Sequence, residues 1–183
     1  MRKIIVEAEV SIDGVLGQSP DFWEHAFQFH SEDVQEYLSE LLSLPDALLM
    51  GRNTYESFAQ VWPTREGKDA ERINSMPKYV ASLTLKEQLQ WNATLIQGDV
   101  AEEIKKLKQE PGKSLVQYGI GELTQTMLEH DLVDEFRILM FPFTFGEGPH
   151  IFEHMGVNTL KLLDTKIFSS GAIALQYQPQ RNA

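Results

Sequence analysis

Apolar residues along this chain follow two rhythms. Short runs of strand length, Lys3–Val10, Ala47–Met50, Lys78–Ala81, Ala93–Gln97, Ser114–Tyr118 and Glu135–Phe141, alternate with segments in which apolar side chains return every three or four residues. Several of the short runs are continuous enough to be covered on both faces, as interior strands of a parallel sheet are. The helical segments are Ser31–Leu44, Asn53–Gln60, Val100–Gln109 and Leu123–His130. In the first, Val34, Tyr37, Leu38, Leu41 and Leu42 form one stripe, with Ser31 as N-cap and Pro45 just past the end. Near the C-terminus Leu160–Phe168 and Ala172–Gln178 flank Ser169-Ser170-Gly171, where glycine can take positive φ in a short hairpin loop. Strand-helix-strand units closed by a hairpin predict an α/β fold: a mostly parallel central sheet with an antiparallel C-terminal hairpin and helices on both faces. With no repeat and no linker-like tract, residues 1–183 read as a single domain.

Composition narrows the function. A 42% hydrophobic content is enough for one substantial core. No apolar run approaches the roughly 18 residues of a membrane span, and Arg2, Lys3 and Glu7 place charge too early for a signal peptide. A cytoplasmic protein without a membrane partner is expected. Zero cysteines excludes disulfides, thiolate metal sites, cysteine nucleophiles and the cysteine pair of zinc deaminases. A formal net charge of −11 argues against a nucleic-acid partner, although one phosphorylated small molecule needs only a local cationic pocket. His150 and His154 have a metal-binding spacing only on a helix; Pro149 and the nearby glycines point to a loop, and no third ligand is evident, so no metal is expected.

In such sheets ligands bind beyond the carboxyl ends of the strands. After the first strand comes Ser11-Ile12-Asp13-Gly14, a turn that carries a carboxylate. After the second comes Gly51-Arg52-Asn53-Thr54-Tyr55-Glu56, where glycine, free helix-start amides and a guanidinium could hold an anion, or where Asn53 or Thr54 simply caps the helix. Ser82-Leu83-Thr84 follows the third. Gly119-Ile120-Gly121-Glu122-Leu123 makes a strand-to-helix turn on which a pyrophosphate could sit, although it is too short for the three-glycine dinucleotide fingerprint. Two anion sites at the ends of strands in one sheet suggest a dinucleotide. Arg65, Lys68, Arg72 and Lys78 are equally well explained as a solvated charged stretch.

These motifs, with Leu132-Val133-Asp134-Glu135, Pro142, Gly146-Glu147-Gly148 and Phe168-Ser169-Ser170-Gly171, resemble in order and spacing the riboflavin-type reductase C-terminal domain family. That resemblance covers nearly the whole chain and implies a dihydrofolate-reductase-like fold with NADPH across the strand ends. It implies an NADPH-dependent reductase that transfers a hydride to a small heterocyclic, carbonyl or imine substrate. By the same resemblance, Gly51, Arg52 and Thr54 hold the adenosine-side phosphates, Arg52 and Ser82 lie near the 2′-phosphate, and Gly119, Ile120, Gly121, Glu122 and Leu123 wrap the pyrophosphate. Ser11, Asp13 and Gly14 border the nicotinamide, and Glu135 lies at the rim of the substrate pocket.

Leu83 stands where relatives often place a basic or polar residue, which weakens a second grip on the 2′-phosphate. Segment 17–30, with Phe22, Trp23, His25, Phe27 and Phe29, departs from the polar substrate-phosphate loop of the riboflavin enzymes. It reads either as an aromatic pocket for a flat substrate or as a loop sealing the core. Asp13 and Glu135 are the candidate proton donors, each needing a raised pKa in a partly dry pocket, with water as a further source. Glu32 and Asp33 are explained by a helix start. Two rivals stand beside the general reductase: the 5-amino-6-(5-phosphoribosylamino)uracil reductase of riboflavin biosynthesis, and a dinucleotide-binding module without turnover. A homodimer is expected in every reading, with Leu139–Phe145 as its apolar contact.

Overall fold

The computed structural model describes residues 1–86 and 88–180. Its elements are β1 (Ile4–Ser11), α1 (Pro20–Ala26), α2 (Glu32–Ser43), β2 (Pro45–Gly51), α3 (Arg52–Val61), α4 (Lys68–Ser75), β3 (Lys78–Ala81), β4 (Ala93–Leu95), α5 (Val100–Gln109), β5 (Ser114–Tyr118), α6 (Glu122–Glu129), β6 (Glu135–Phe141), β7 (Leu160–Ile167) and β8 (Ile173–Pro179). All the strands join one eight-stranded sheet in the order β4-β3-β2-β5-β1-β6-β8-β7. Every pairing from β4 to β6 is parallel, and β8 runs antiparallel to both β6 and β7. The parallel sheet with its antiparallel C-terminal hairpin is therefore the one the pattern predicts.

Alternation along β1 sorts the layers. Ile4, Val6, Ala8 and Val10 join a core with Ala101 and Ile104 of α5 and Leu123 and Met127 of α6. Ile5 packs on the opposite face with Leu42 of α2, Tyr55 of α3 and Ile73 of α4. A third cluster joins Phe22 and Ala26 of α1, Val34 of α2, Phe141 and Phe168 at the hairpin end. The chain leaves β1 for β2, β3 and β4, returns with β5 between β2 and β1, and then places β6 on the far side. This reversal opens a crevice at the carboxyl ends of β1, β2 and β5.

Two helices depart from the sequence reading. The charged stretch containing Lys68 and Arg72 is helix α4, docked by only Ala70 and Ile73; two apolar residues three apart are too few to reveal a period. Segment 17–30 contains α1, whose start signal is present in Ser19-Pro20-Asp21: the Ser19 hydroxyl accepts from the Phe22 N–H at 3.2 Å, and Pro20 opens the helix. Phe22 is fully buried and contacts Trp23, Phe141, Phe143 and Phe145, while Phe29 stacks on Phe143. The segment thus seals the core and does not form an aromatic pocket. Leu139 and Phe141 are likewise buried in their own chain, which removes these two residues from the expected dimer contact, whereas Met140, Phe143 and Phe145 are partly buried. Among the described residues, the exposed large apolar side chains beyond β6 are Val157 and, on edge strand β7, Leu162, Leu163 and Ile167. Among the described residues no helix is long and apolar enough to cross a membrane.

Candidate functional site

The parallel strands deliver Ser11, Gly51, Ala81, Tyr118 and Phe141 to one edge of the sheet. Gly51 passes straight into α3, whose first-turn amides receive no side-chain cap. After β5, Gly119 turns at φ +81°, a left-handed conformation that favours glycine. Its N–H donates to the Glu7 carbonyl at 2.7 Å, and its carbonyl accepts from the Gln117 side chain at 2.9 Å. The same Gln117 amide donates to Thr124 Oγ1 at 2.7 Å, and that oxygen accepts from the Gly121 N–H at 3.2 Å. A buried glutamine thereby shapes the turn before any ligand arrives. A Cβ on Gly119 would stand 4.0 Å from Thr54 Oγ1, whereas one on Gly121 would meet nothing within 4 Å. The starts of α3 and α6 therefore adjoin, and space lies open above the second glycine.

Arg52 is exposed beside this junction, with Nε donating to Glu56 at 2.9 Å and Nη1 to Thr84 Oγ1 at 2.8 Å. Ser82 uses its hydroxyl to accept from the N–H groups of Thr84 and Leu85, so it builds the turn that brings Thr84 to Arg52. Leu83 is fully exposed and offers no polar grip. Lys86, which the sequence reading did not single out, joins Ser82, Leu83 and Gly98 around a cavity of about 690 Å³ between the ends of β3 and β4. Its only sequence signal is a lysine in the loop after a strand.

Ser11 is buried and holds the first loop, donating to Asp13 Oδ1 at 2.5 Å and accepting from the Val15 N–H at 3.1 Å. Gly14 turns at φ +83°, next to Ile151 and His150. Asp13 accepts from the N–H groups of Phe145 and Gly146, which straps segment 143–146 to the first loop. The Ser11 hydroxyl and these amides lower the Asp13 pKa to about 2. A carboxylate held ionised in this way cannot act as the proton donor expected from the sequence. At Asp13, strap stability is present above about pH 4 and is lost as the pH falls through about 2. Asp13→Asn should remove this acid transition and increase hydrogen exchange at the Phe145 and Gly146 amides at neutral pH; unchanged exchange would count against the strap.

Glu135 is a second correction. It is the first residue of β6 and pairs with Ile5, whereas Ser11 pairs with Phe141. It lies six residues, about 20 Å of strand, from Phe141, and two residues below Arg137, the partner of Glu7. Its buried carboxylate accepts from Arg137 Nε at 2.5 Å and Gln176 Nε2 at 2.7 Å, bonds within the sheet that give it a structural role. His150 forms an isolated bridge with Val15 and His154 lies in the turn that follows, so this segment is a loop and not a helix.

The polar residues that the sequence reading missed are Glu7 and Glu9, alternate positions of β1. Burial pushes Glu7 up to about 7; the Arg137 guanidinium opposes the shift, and Glu9 and Glu135 add to it. Burial and the neighbouring carboxylates push the Tyr118 phenol well up as well. Carboxylates inside an otherwise apolar central strand, Ile4-Ile5-Val6-Glu7-Ala8-Glu9-Val10, were the available signal.

A family model described as the RibD C-terminal domain matches residues 2–174. The uncharacterized protein YyaP of Bacillus subtilis is 31% identical over 182 residues, covering 96% of this chain and 94% of its own length. Among solved structures, a protein from Shewanella sp. PV-4 superposes with a TM-score of 0.76 at 24% identity, covering 98% of this chain and 99% of that one. Dihydrofolate reductase from Enterococcus faecalis, in complex with NADP(H), superposes with a TM-score of 0.65 at 14% identity over 98% of this chain and 97% of that one. The architecture is the dihydrofolate-reductase-like one, with its crevice where the glycine turn meets Arg52 and Thr54. This chain belongs to the RibD C-terminal domain family.

Proposed function

We propose that this protein is a cytoplasmic NADPH-dependent reductase acting on a small heterocyclic or carbonyl/imine substrate. One observation carries the reading: the uncapped start of α3 and the Gly119–Gly121 turn adjoin at the switch point of a parallel sheet, where a Cβ on Gly119 would stand 4.0 Å from Thr54 Oγ1. Amides at two helix starts fit separated phosphates, because each end presents unpaired N–H groups and a positive dipole end. In this reading Gly51, Arg52 and Thr54 hold the adenosine-side phosphates, and Gly119, Ile120, Gly121, Glu122 and Leu123 hold the pyrophosphate. Ser11 and Gly14 border the nicotinamide, while Arg52 and Lys86 flank the 2′-phosphate position. Lys86 supplies the cation that Leu83 lacks.

Bound NADPH would supply the hydride, and the protein would supply position and electrostatics. The first loop is rigid enough to fix a ring because Asp13 ties it to segment 143–146. Neither Asp13 nor Glu135 can deliver the proton, so it comes from water or from a protonated group on the sheet face.

Thermal unfolding with NADPH, NADH and no ligand tests the reading. A ligand at a hundred times its Kd stabilises by about 2.7 kcal/mol, which shifts Tm by roughly 5–10 °C at this chain length. Arg52→Ala should reduce the NADPH shift by half or more and leave the NADH shift nearly intact. No shift with either nucleotide would overturn the cofactor assignment, and equal loss of both would overturn the role of Arg52.

A further inference from the structure

Glu7 and Glu9 project from the same face of β1 as Ser11, and Glu9 precedes Ser11 by only about 7 Å of strand. The Gly119 turn hydrogen-bonds to the Glu7 backbone, so the pair stands immediately beneath the proposed dinucleotide cradle. Among the described residues, the closest cation to the Glu7 carboxylate is Arg137 Nη1, at 3.7 Å. Glu9 Oε2 lies 3.5 Å from His30 Nε2. Three buried polar atoms here, Glu9 Oε2, His30 Nε2 and Arg137 Nη1, have no hydrogen-bond partner among the described residues. The Arg137 side chain is only 10% exposed. Native folds satisfy such atoms almost without exception, so several unsatisfied ones together mark a place where a ligand completes the bonding. The patch is open enough to receive one, since the Glu9 side chain is 26% exposed. Rings on the strands either side of β1 flank the pair: Tyr118, beside Glu7, packs on Phe58 at 5.6 Å, and His30 covers the buried Phe141 at 5.4 Å.

We infer that Glu7 and Glu9 form the substrate-recognition face of the site and select an unphosphorylated nitrogen heterocycle whose amino or amidine edge presents N–H donors. The inference rests on the reductase reading for its position beside the hydride carrier. A carboxylate accepts hydrogen bonds and, once ionised, favours a cationic or donor-rich edge, and such an edge in turn favours ionisation of Glu7. A phosphorylated substrate would meet two carboxylates and a single guanidinium already engaged by Glu135. Flanking aromatic rings favour a planar ring. The site therefore differs in charge from one built for a phosphorylated pyrimidine.

Calorimetric titration of the full chain, with and without NADPH, tests this with two probes: 2,4-diaminopteridine as the donor-rich heterocycle and uridine 5′-phosphate as the anionic one. The diaminopteridine should bind, and Glu9→Gln and Glu7→Gln should each weaken it by about tenfold or more, the loss of one charge-assisted hydrogen bond. Uridine 5′-phosphate should bind at least about tenfold more weakly than the diaminopteridine, and gain in both variants. Absence of diaminopteridine binding, equal affinity in wild type and variants, or tighter binding of uridine 5′-phosphate to the wild type would overturn the inference. Glu9→Gln alters a part-exposed side chain and decides the matter alone if Glu7→Gln does not fold. Diaminopteridine binding that depends on the glutamates, in a protein that ignores NADPH, would sink the reductase reading and leave the recognition face standing.

Discussion

Phe22→Ala should destabilise the protein by about 3–5 kcal/mol, the range for emptying a fully buried phenylalanine site. At this length the change lowers Tm by roughly 6–20 °C. Phe22 has no exposed surface, and its ring meets Trp23, Phe141, Phe143 and Phe145 at centroid distances of 5.3 to 6.4 Å. Those partners come from α1, the end of β6 and the segment strapped down by Asp13, so one cavity loosens all three. Phe27, five residues away and 58% exposed, provides the control: Phe27→Ala should change stability by less than about 1 kcal/mol. A Phe22→Ala loss as small as the control, measured by urea denaturation, would mean that α1 is not docked as described.

The second large effect depends on pH. An acid whose pKa is higher in the folded than in the unfolded state binds its proton more tightly when folded, so stability is greatest at low pH and falls as the pH rises. For Glu7 the decline spans the window from 4.5 to about 7 and amounts to about 3 kcal/mol. Burial sets it, opposed by Arg137 and reinforced by Glu9 and Glu135 on the sheet, with Tyr118, Tyr37 and His30 packed nearby. Glu7→Gln should abolish this portion of the slope and stabilise the protein at pH 8 by about 3 kcal/mol, while leaving stability near pH 4 little changed. An unchanged pH profile would show that Glu7 titrates normally in the folded chain. Evolution keeps a destabilising charge in a core strand when function needs it, which agrees with the recognition role inferred above.

The same residues show why some of the site could be read in advance and some could not. Glycines at strand ends, and a cation or hydroxyl just beyond, are local features, and Gly51, Arg52, Thr54 and the Gly119–Gly121 turn meet at one edge as their positions suggested. Glu135 misled because the direction of β6 within the sheet decides which end of that strand faces the crevice. Asp13 misled because its amide donors come from residues 145 and 146, more than a hundred positions along the chain. Lys86 carried no pattern at all. Its relevance arises only when β3 and β4 lie side by side.

Apolar period and the motifs at strand ends determined the layered α/β architecture, the order along the chain of its strands and of helices α2, α3, α5 and α6, and the C-terminal hairpin. Such patterns act within a few residues, where backbone geometry alone dictates which side chains share a face. The tertiary structure decided that β5 inserts between β1 and β2, that α1 plugs the core with Phe22, and that burial raises the pKa of Glu7 while hydrogen bonds lower that of Asp13. Strand order, burial and the field around a carboxyl group depend on partners distant in sequence, and those partners exist only once the sheet has closed around them.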